Sequence, residues 1–297
     1  MYLYFILKAM ANKSRFIVAE SSIKAFFKDG DGKVFNKEQL SEILEQNRVL
    51  WNLPFSMNVD KFIEKLLSSE ILSKREIIFN GIYSKKERYL VSDATLFQVA
   101  VSLVNKSYLS HYSAVYLHNL TSQIPKTIYI SFEQSKKNNV VRELKQSAID
   151  SAFLKPQRKS TTTTIYEGYT FLLHNGMYSN RLGVYSLNDL PITNIERTLI
   201  DIAVRPGNAG GVDSVLDIYR NAVDKISMNK LVATLDKLNF IYPYHQTIGF
   251  YLEKAGLAES KLEILRQREM LFDFYLTYEM IEKEYNKTWR LYYPKGM

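Results

Sequence analysis

The chain has 297 residues, of which 39 are lysine or arginine and 31 are aspartate or glutamate, so its formal charge is +8. This length predicts two domains, and the excess of positive charge favours a polyanionic partner. The absence of cysteine excludes disulfides, thiolate nucleophiles and cysteine zinc sites, and the four histidines (His111, His118, His174 and His245) are too scattered to predict a metal or cofactor site.

The chain opens with an apolar stretch over residues 1–7. No basic residue precedes this stretch and no small-residue cleavage pattern follows it, so it lacks the features of a secretory signal, and it is too short to span a bilayer. It is either a buried first strand or helix turn, or it lies upstream of the true start, with Met10 as the next candidate. No other stretch approaches a membrane span, and we therefore expect a cytoplasmic protein.

Three helices are predicted in the first seventy residues. Apolar residues at helical spacing predict the first over Ser21–Lys28, before a glycine-rich turn. Asn36 is a typical N-cap for a second helix that ends before Leu53. The third helix is predicted to begin near Ser56 or Asn58, with one apolar face.

Two short strands, Ser73–Ile78 and Arg88–Val91, follow these helices. Three helices and a β-hairpin are typical of a winged helix-turn-helix, so residues 1–92 are predicted to form a DNA-binding domain. Its third helix would enter the major groove and its hairpin would lie against the phosphate backbone. The candidate contacts with double-stranded DNA are Ser56, Asn58, Lys61, Lys65, Lys74, Arg75, Lys85, Lys86 and Arg88. Alternatively, these charges only solvate a small helical bundle, because acidic residues are interspersed among them.

Residues 93–297 are predicted to form a larger mixed α/β domain, which makes the whole chain α+β. A helix is expected over Tyr108–Leu120 and a strand after Pro125. Thr193 and Glu196 have the spacing of a capping box, and they predict a helix in which Arg197 and Asp201 form an ion pair.

Three further helices are expected in this domain. They cover Val212–Val223, Thr247–Ala255 and Ser260–Tyr285. Gly256 suits the left-handed position that ends the second of them.

Two stretches resemble the AbiEi antitoxins. Tyr108–Thr121 with the following Ile124-Pro125 is similar to the segment that opens the C-terminal domain of that family, and Ile192–Asp201 is similar to its stretch centred on Glu-Arg-Thr-Leu and an aspartate. Together with the predicted winged helix, the resemblance covers almost the full length.

The resemblance implies an antitoxin of a type IV toxin-antitoxin or abortive-infection system. Its winged helix would repress the shared promoter, and its second domain would counter a nucleotidyltransferase-like toxin without a stable complex. The motif residues Ser113, Glu196, Arg197 and Asp201 are interpreted mainly as structural, because they lie at a helix cap, on a helix face or in an ion pair. No catalytic residue is predicted, and the protein is not expected to be an enzyme.

Other interpretations of the sequence are weaker. Residues 27–38 follow the spacing of an EF-hand loop, but Phe27 stands where the first carboxylate is needed. Asp236 with Glu259 and Lys261 would be the nearest candidate for a nuclease site. Nothing in the sequence brings His111 or His245 near a particular serine. A ligand-sensing winged-helix transcriptional regulator is the main alternative to the antitoxin.

Overall fold

The computed structural model describes residues 14–81, 85–136 and 143–297, so the apolar opening of the chain lies outside the described residues. The protein is α+β and divides into two compact units, the first ending at Leu103 and the second beginning at Val104. No helix in the described ranges is long and apolar enough to cross a membrane.

Four helices and one short strand form most of the first unit. They are α1 (Arg15–Asp29), β1 (Val34–Phe35), α2 (Lys37–Asn47), α3 (Val59–Ser68) and α4 (Leu96–Ser102). The predicted cap at Asn36 is confirmed, and it forms a capping box with Gln39 at α2. Of the two starts predicted for α3, the structure has Asn58, whose side chain accepts a hydrogen bond from the Lys61 amide. Helix α1 begins before the predicted Ser21, because the Ser14 hydroxyl caps it.

The predicted hairpin is present in the first unit. Strands β2 (Ser73–Ile77) and β3 (Lys86–Leu90) pair antiparallel, and β1 joins them in the order β1-β3-β2. The core between this sheet and the helices is aromatic: the Phe62 ring of α3 lies 6.3 Å from that of Phe16 and 5.9 Å from that of Trp51. The apolar face of α3 is therefore buried, which leaves its polar face outward.

A mixed six-stranded sheet organises the second unit. Its strands are β4 (Tyr108–Leu109), β5 (Thr127–Glu133), β6 (Thr163–Tyr166), β7 (Tyr169–Gly176), β8 (Val184–Leu187) and β9 (Leu190–Thr193). Their order is β6-β7-β5-β4-β9-β8, with β5 parallel to β7 and β4 parallel to β9. The sheet thus brings β5 and β7 together although a long connection separates them in the chain.

Helices and a small second sheet complete the second unit. The elements are α5 (His111–Leu117), α6 (Gln146–Phe153), α7 (Ile195–Val204), a 3-10 turn (Pro206–Ala209), α8 (Val212–Ala222), α9 (Met228–Leu238), α10 (Tyr244–Lys254), α11 (Glu259–Arg266), β10 (Phe274–Tyr275), β11 (Lys283–Asn286) and β12 (Leu291–Pro294). Gly256 adopts the predicted left-handed conformation, with φ of +85°.

Two predicted helices are longer than the helices in the structure. Tyr108 and Leu109 form strand β4, because Leu109 pairs with both Ile130 and Ile192 in the sheet. The helix predicted over Ser260–Tyr285 ends at Arg266. Beyond it, Phe274 is fully buried and pairs with Leu291, so the pairing of its backbone with a later strand overrides the local helical pattern.

The capping box predicted at α7 names the wrong N-cap residue. Asn194 is the N-cap and its side chain accepts from the Arg197 amide, whereas Thr193 ends strand β9. The Thr193 hydroxyl lies 2.8 Å from that of Thr198. Because Thr193 is needed in the sheet, the cap moves one residue along the chain.

Candidate functional site

The outward face of α3 carries the predicted contacts with the major groove. Lys61 and Lys65 are exposed, and the Lys61 ammonium lies 3.4 Å from the exposed Ser56 carbonyl. The Asn58 side-chain oxygen accepts the Lys61 amide at 2.9 Å, so it is already engaged in capping. Asp60 is paired with Lys37 at 2.5 Å, which offsets one acidic charge on this face.

The hairpin carries both paired and unpaired cations. Lys74 lies 2.8 Å from Glu87, and Lys85 lies 2.7 Å from Glu76. Such exposed pairs contribute little to stability and are screened by salt. Within the described residues, Arg75 and Lys86 form no ion pair with a carboxylate. These two side chains therefore supply the free positive charge of the predicted wing.

Arg88 was predicted to contact phosphate, and the structure corrects that prediction. Only 8% of its surface is exposed. Its guanidinium donates to the Ser102 carbonyl at the end of α4, with nitrogen–oxygen distances of 3.1 and 2.5 Å, and burial lowers its pKa. The end of α4 covers this side chain, so Arg88 holds α4 against the hairpin instead of meeting DNA.

The second unit contains a buried chain of hydroxyl and imidazole groups. The Ser110 hydroxyl lies 2.8 Å from Nδ1 of His111 and 2.6 Å from the Ser131 hydroxyl. The Ser131 hydroxyl lies 3.5 Å from Nδ1 of His174. The two imidazole rings meet edge to face, with centroids 5.1 Å apart. We call these four residues the Ser–His chain.

His111 has an unusual backbone at the start of α5. Its φ is +49°, in the left-handed region, and only 3% of its surface is exposed. A left-handed conformation at a residue other than glycine costs about 1–3 kcal/mol and is concentrated at functional sites. The backbone at His111 is therefore locally strained, and this strained conformation places the imidazole inside the second unit.

A cavity of about 230 Å³ adjoins the Ser–His chain. Its lining includes His111, Ser131, His174, Arg197 and Phe240. It thus combines neutral hydrogen-bonding groups, a guanidinium and an aromatic ring. We take it as the candidate site of the second unit.

A larger groove of about 620 Å³ lies elsewhere on the second unit. It is lined by parts of the 112–129 and 207–221 segments, and none of the described residues in its lining is a histidine. The smaller cavity is the better candidate, because it is the one that the strained His111 adjoins.

Arg197 and Asp201 form the predicted ion pair. Arg197 Nε lies 2.7 Å from an Asp201 carboxylate oxygen, and both side chains are largely buried. Arg197 also donates to the Leu182 carbonyl at 2.9 Å. Burial alone would lower the pKa of Arg197, but Asp201 raises it overall. Both residues line the cavity, so the ion pair supplies part of its wall.

The other two motif residues connect elements of the second unit. The Ser113 hydroxyl accepts the Tyr129 amide at 2.8 Å, which joins α5 to β5. The Glu196 carboxylate accepts the Ser227 amide at 3.1 Å and lies 3.0 Å from the Lys230 ammonium. Burial acts to raise the pKa of Glu196, but these hydrogen bonds lower it overall. Glu196 therefore stabilises the start of α9, where the sequence had predicted a cap on its own helix.

Carboxylates that suggested metal chemistry are engaged elsewhere. Asp236 accepts two hydrogen bonds from Arg268, at 2.7 and 2.8 Å, and Glu259 is paired with Arg266. In the parts of the chain that the structure describes, no three histidine or acidic side chains converge in a way that could hold a metal ion.

Sequence reasoning missed the Ser–His chain. It found no serine near His111, although Ser110 is its neighbour in the chain and bonds to its ring. That adjacency was the one available signal. Ser131 and His174 are 43 residues apart and meet only because β5 and β7 are neighbours in the sheet.

Comparison with known proteins identifies a shared fold. No model of a known protein family and no curated protein matches the chain. A crystal structure of the RV2827C protein from Mycobacterium tuberculosis is similar to it, with a TM-score of 0.55 and 13% identity over 93% of this chain and 91% of that chain. At this identity the likeness concerns the fold alone, and it covers nearly the whole of both chains.

The buried histidines predict a loss of stability in mild acid. Burial lowers the pKa of His111 and of His174 to about 3, whereas the unfolded chain has the ordinary value of about 6.5. Between these values only the unfolded chain binds the protons, so the stability is complete above pH 6.5 and falls as the pH drops. From pH 7 to pH 5 we expect the free energy of unfolding to fall by about 2 kcal/mol for each histidine.

Urea unfolding at the two pH values measures this effect. The His174→Phe variant lacks one of the two groups, and its stability should depend less on pH than that of the unmodified protein. An equal dependence in both proteins would show that His174 is not held neutral by burial.

Proposed function

We propose that the protein is a cytoplasmic antitoxin of the AbiEi type that also represses its own promoter. In this proposal the first unit is a winged helix-turn-helix that binds double-stranded DNA. The second unit counters a nucleotidyltransferase-like toxin by a route that requires no stable complex. The protein acts by binding, without a catalytic residue, metal or cofactor of its own.

The observation that carries the DNA-binding part is the arrangement of cations in the first unit. Lys61 and Lys65 lie on the exposed face of α3, and on the hairpin Arg75 and Lys86 form no ion pair with a carboxylate of the residues that the structure describes. A recognition helix and a wing in this order would place the first pair in the major groove and the second pair near phosphates. Neutralised phosphates release counterions, so the binding should weaken steeply with salt.

The antitoxin part is supported by the resemblance and by the contact between its two segments. Leu109 of the first stretch pairs in parallel with Ile192 of the second. His118 Nε2 lies 2.7 Å from the Thr193 carbonyl. The two stretches are thus neighbours in the sheet and form one structural element, as expected if they mark a single domain type.

A paired-lysine variant tests the division of labour between the units. Lys61→Ala with Lys65→Ala should weaken binding to the DNA upstream of the gene by at least about tenfold, because two direct contacts are lost, and it should flatten the salt dependence. Lys237→Ala with Lys287→Ala removes the same charge from exposed positions of the second unit and should leave binding unchanged. Fluorescence anisotropy over a series of salt concentrations measures both.

Growth of bacteria that express the adjacent gene tests the second activity. Toxicity should be relieved by this protein and by its Lys61→Ala/Lys65→Ala variant alike. Protection that falls in step with DNA binding would contradict the separation of the two activities. Absence of toxicity, or toxicity without relief, would contradict the antitoxin.

A ligand-sensing winged-helix regulator is the second candidate. The cavity beside His111 and His174 favours it, because strained and buried polar groups at a cavity are typical of a binding site. If the adjacent gene is not toxic, this candidate replaces the antitoxin, and the first unit keeps its proposed role in binding DNA.

A further inference from the structure

The Ser–His chain has a property that follows from counting hydrogens. It contains three contacts in a row, from Nδ1 of His111 through the Ser110 and Ser131 hydroxyls to Nδ1 of His174. Each contact needs one hydrogen between its two heavy atoms. Each serine hydroxyl supplies one hydrogen, and a neutral imidazole carries only one N–H. At least one Nδ1 must therefore carry a hydrogen. If both did, one of the two serine hydroxyls would have no acceptor among the described residues, so every group is satisfied only when one Nδ1 carries it.

Both histidines are neutral at physiological pH. Burial lowers the pKa of each to about 3, so neither ring carries a second proton. One ring therefore has its hydrogen on Nδ1 and a bare Nε2, and the other has a bare Nδ1 and a hydrogen on Nε2. Because both Nδ1 atoms are used in the chain, Nε2 is the nitrogen that remains free on each ring, and both rings line the cavity. The free imidazole nitrogens of the lining are thus one hydrogen-bond donor and one acceptor.

From this arrangement we propose that the cavity binds a small neutral lactam through its two imidazoles. A lactam carries an N–H beside a C=O, which complements one bare nitrogen and one N–H, whereas a ligand with two donors or two acceptors would leave one imidazole unsatisfied. An unsatisfied buried polar group costs about 1–3 kcal/mol. The donor and acceptor of the cavity therefore select for a ligand with both.

The size and lining of the cavity favour a single ring. Its volume of about 230 Å³ is below the range of about 300–1,000 Å³ that is common for larger ligands. Phe240 adds an aromatic surface to the lining, against which a flat ring can stack. Arg197 is engaged with Asp201 and with the Leu182 carbonyl, so its charge does not require an anionic ligand.

This inference does not depend on DNA binding or on the antitoxin, because the binding is measured directly on the full chain. The first experiment determines the tautomers by long-range ¹H–¹⁵N correlation of labelled histidines, with assignment from His111→Asn and His174→Phe. Asparagine is chosen at 111 because it tolerates a left-handed backbone. We expect one ring with hydrogen on Nδ1 and one with hydrogen on Nε2. Two rings in the same tautomer would overturn the hydrogen count and the proposal with it.

The second experiment titrates the labelled protein with uracil and, separately, with 1,3-dimethyluracil. Uracil has the lactam edge, whereas the dimethyl compound keeps the flat ring but has no N–H to donate. We expect uracil to shift the imidazole signals of both histidines and the dimethyl compound to bind at least about tenfold more weakly. Equal binding of the two compounds, or no shift with uracil, would overturn the proposed ligand class. This comparison needs no variant, so it does not depend on the folding of one.

A matched pair of variants locates the site. His174→Phe replaces one imidazole by a flat ring without nitrogen and should weaken uracil binding at least about tenfold. His118→Phe makes the same change at a histidine outside the cavity lining, whose ring stacks on Tyr185, and it should leave uracil binding unchanged. An equal affinity in His174→Phe and the unmodified protein would place uracil elsewhere and contradict the proposal.

Discussion

Replacing Trp289 with alanine is expected to destabilise the second unit by about 3–5 kcal/mol, because a fully buried indole would leave a cavity. The ring packs directly on the backbone of α10: a Cβ added at Gly249 would lie 2.1 Å from its Cζ3 atom. Its Nε1 donates to Glu253 at 3.0 Å, and the Arg266 guanidinium lies 5.6 Å from the ring. Trp289 therefore anchors the C-terminal sheet to two helices.

Urea unfolding followed by circular dichroism measures this loss. Ile281→Ala is a suitable control, because that side chain is 98% exposed and its truncation should change the free energy of unfolding by less than about 0.5 kcal/mol. Gly249→Ala should also destabilise, because the indole must move away to admit a methyl group. A loss below about 1 kcal/mol in Trp289→Ala would contradict the packing described for this ring.

The second large loss of stability is expected when the Arg197–Asp201 ion pair is broken. Asp201→Leu should cost about 3–5 kcal/mol, because it leaves the Arg197 guanidinium buried without its counter-ion. Asp217→Leu makes the same change in the pair with Arg220, whose side chains are 69% and 53% exposed. That pair is worth at most about 1 kcal/mol, so the control variant should unfold near the unmodified protein.

A double variant separates the unpaired charge from the loss of packing. Arg197→Met with Asp201→Leu removes both charges and should be more stable than Asp201→Leu alone, since no buried charge is left without a partner. Chemical denaturation of the unmodified protein, the two single variants Arg197→Met and Asp201→Leu, and the double variant gives the interaction energy of the pair. If the double variant is as unstable as the sum of the two single variants, the ion pair is not what stabilises this part of α7.

Local features of the fold were predictable where the deciding contacts lie within a few residues. The cap at Asn36 and the left-handed Gly256 depend on backbone groups three or four positions away, so the sequence shows them directly. The hairpin and the Arg197–Asp201 pair were predictable for the same reason. Two strands joined by a short turn, and two residues one helical turn apart, meet in any fold that contains them.

Features that depend on distant residues were not predictable. The strand at Tyr108–Leu109 needs partners in β5 and β9, and the shift of the α7 cap follows from the pairing of Thr193 in the sheet. The burial of Arg88 depends on the position of α4, which no local pattern specifies.

The sequence by itself determined the α+β class, most helices of the chain and the basic character of α3 and the hairpin, because periodicity, caps and charge are local properties. Only the tertiary structure decided that Arg88 is buried against α4 and that Ser110, His111, Ser131 and His174 form one chain beside a cavity. The physical reason is the sheet order: β5 and β7 become neighbours through hydrogen bonds between residues 43 positions apart.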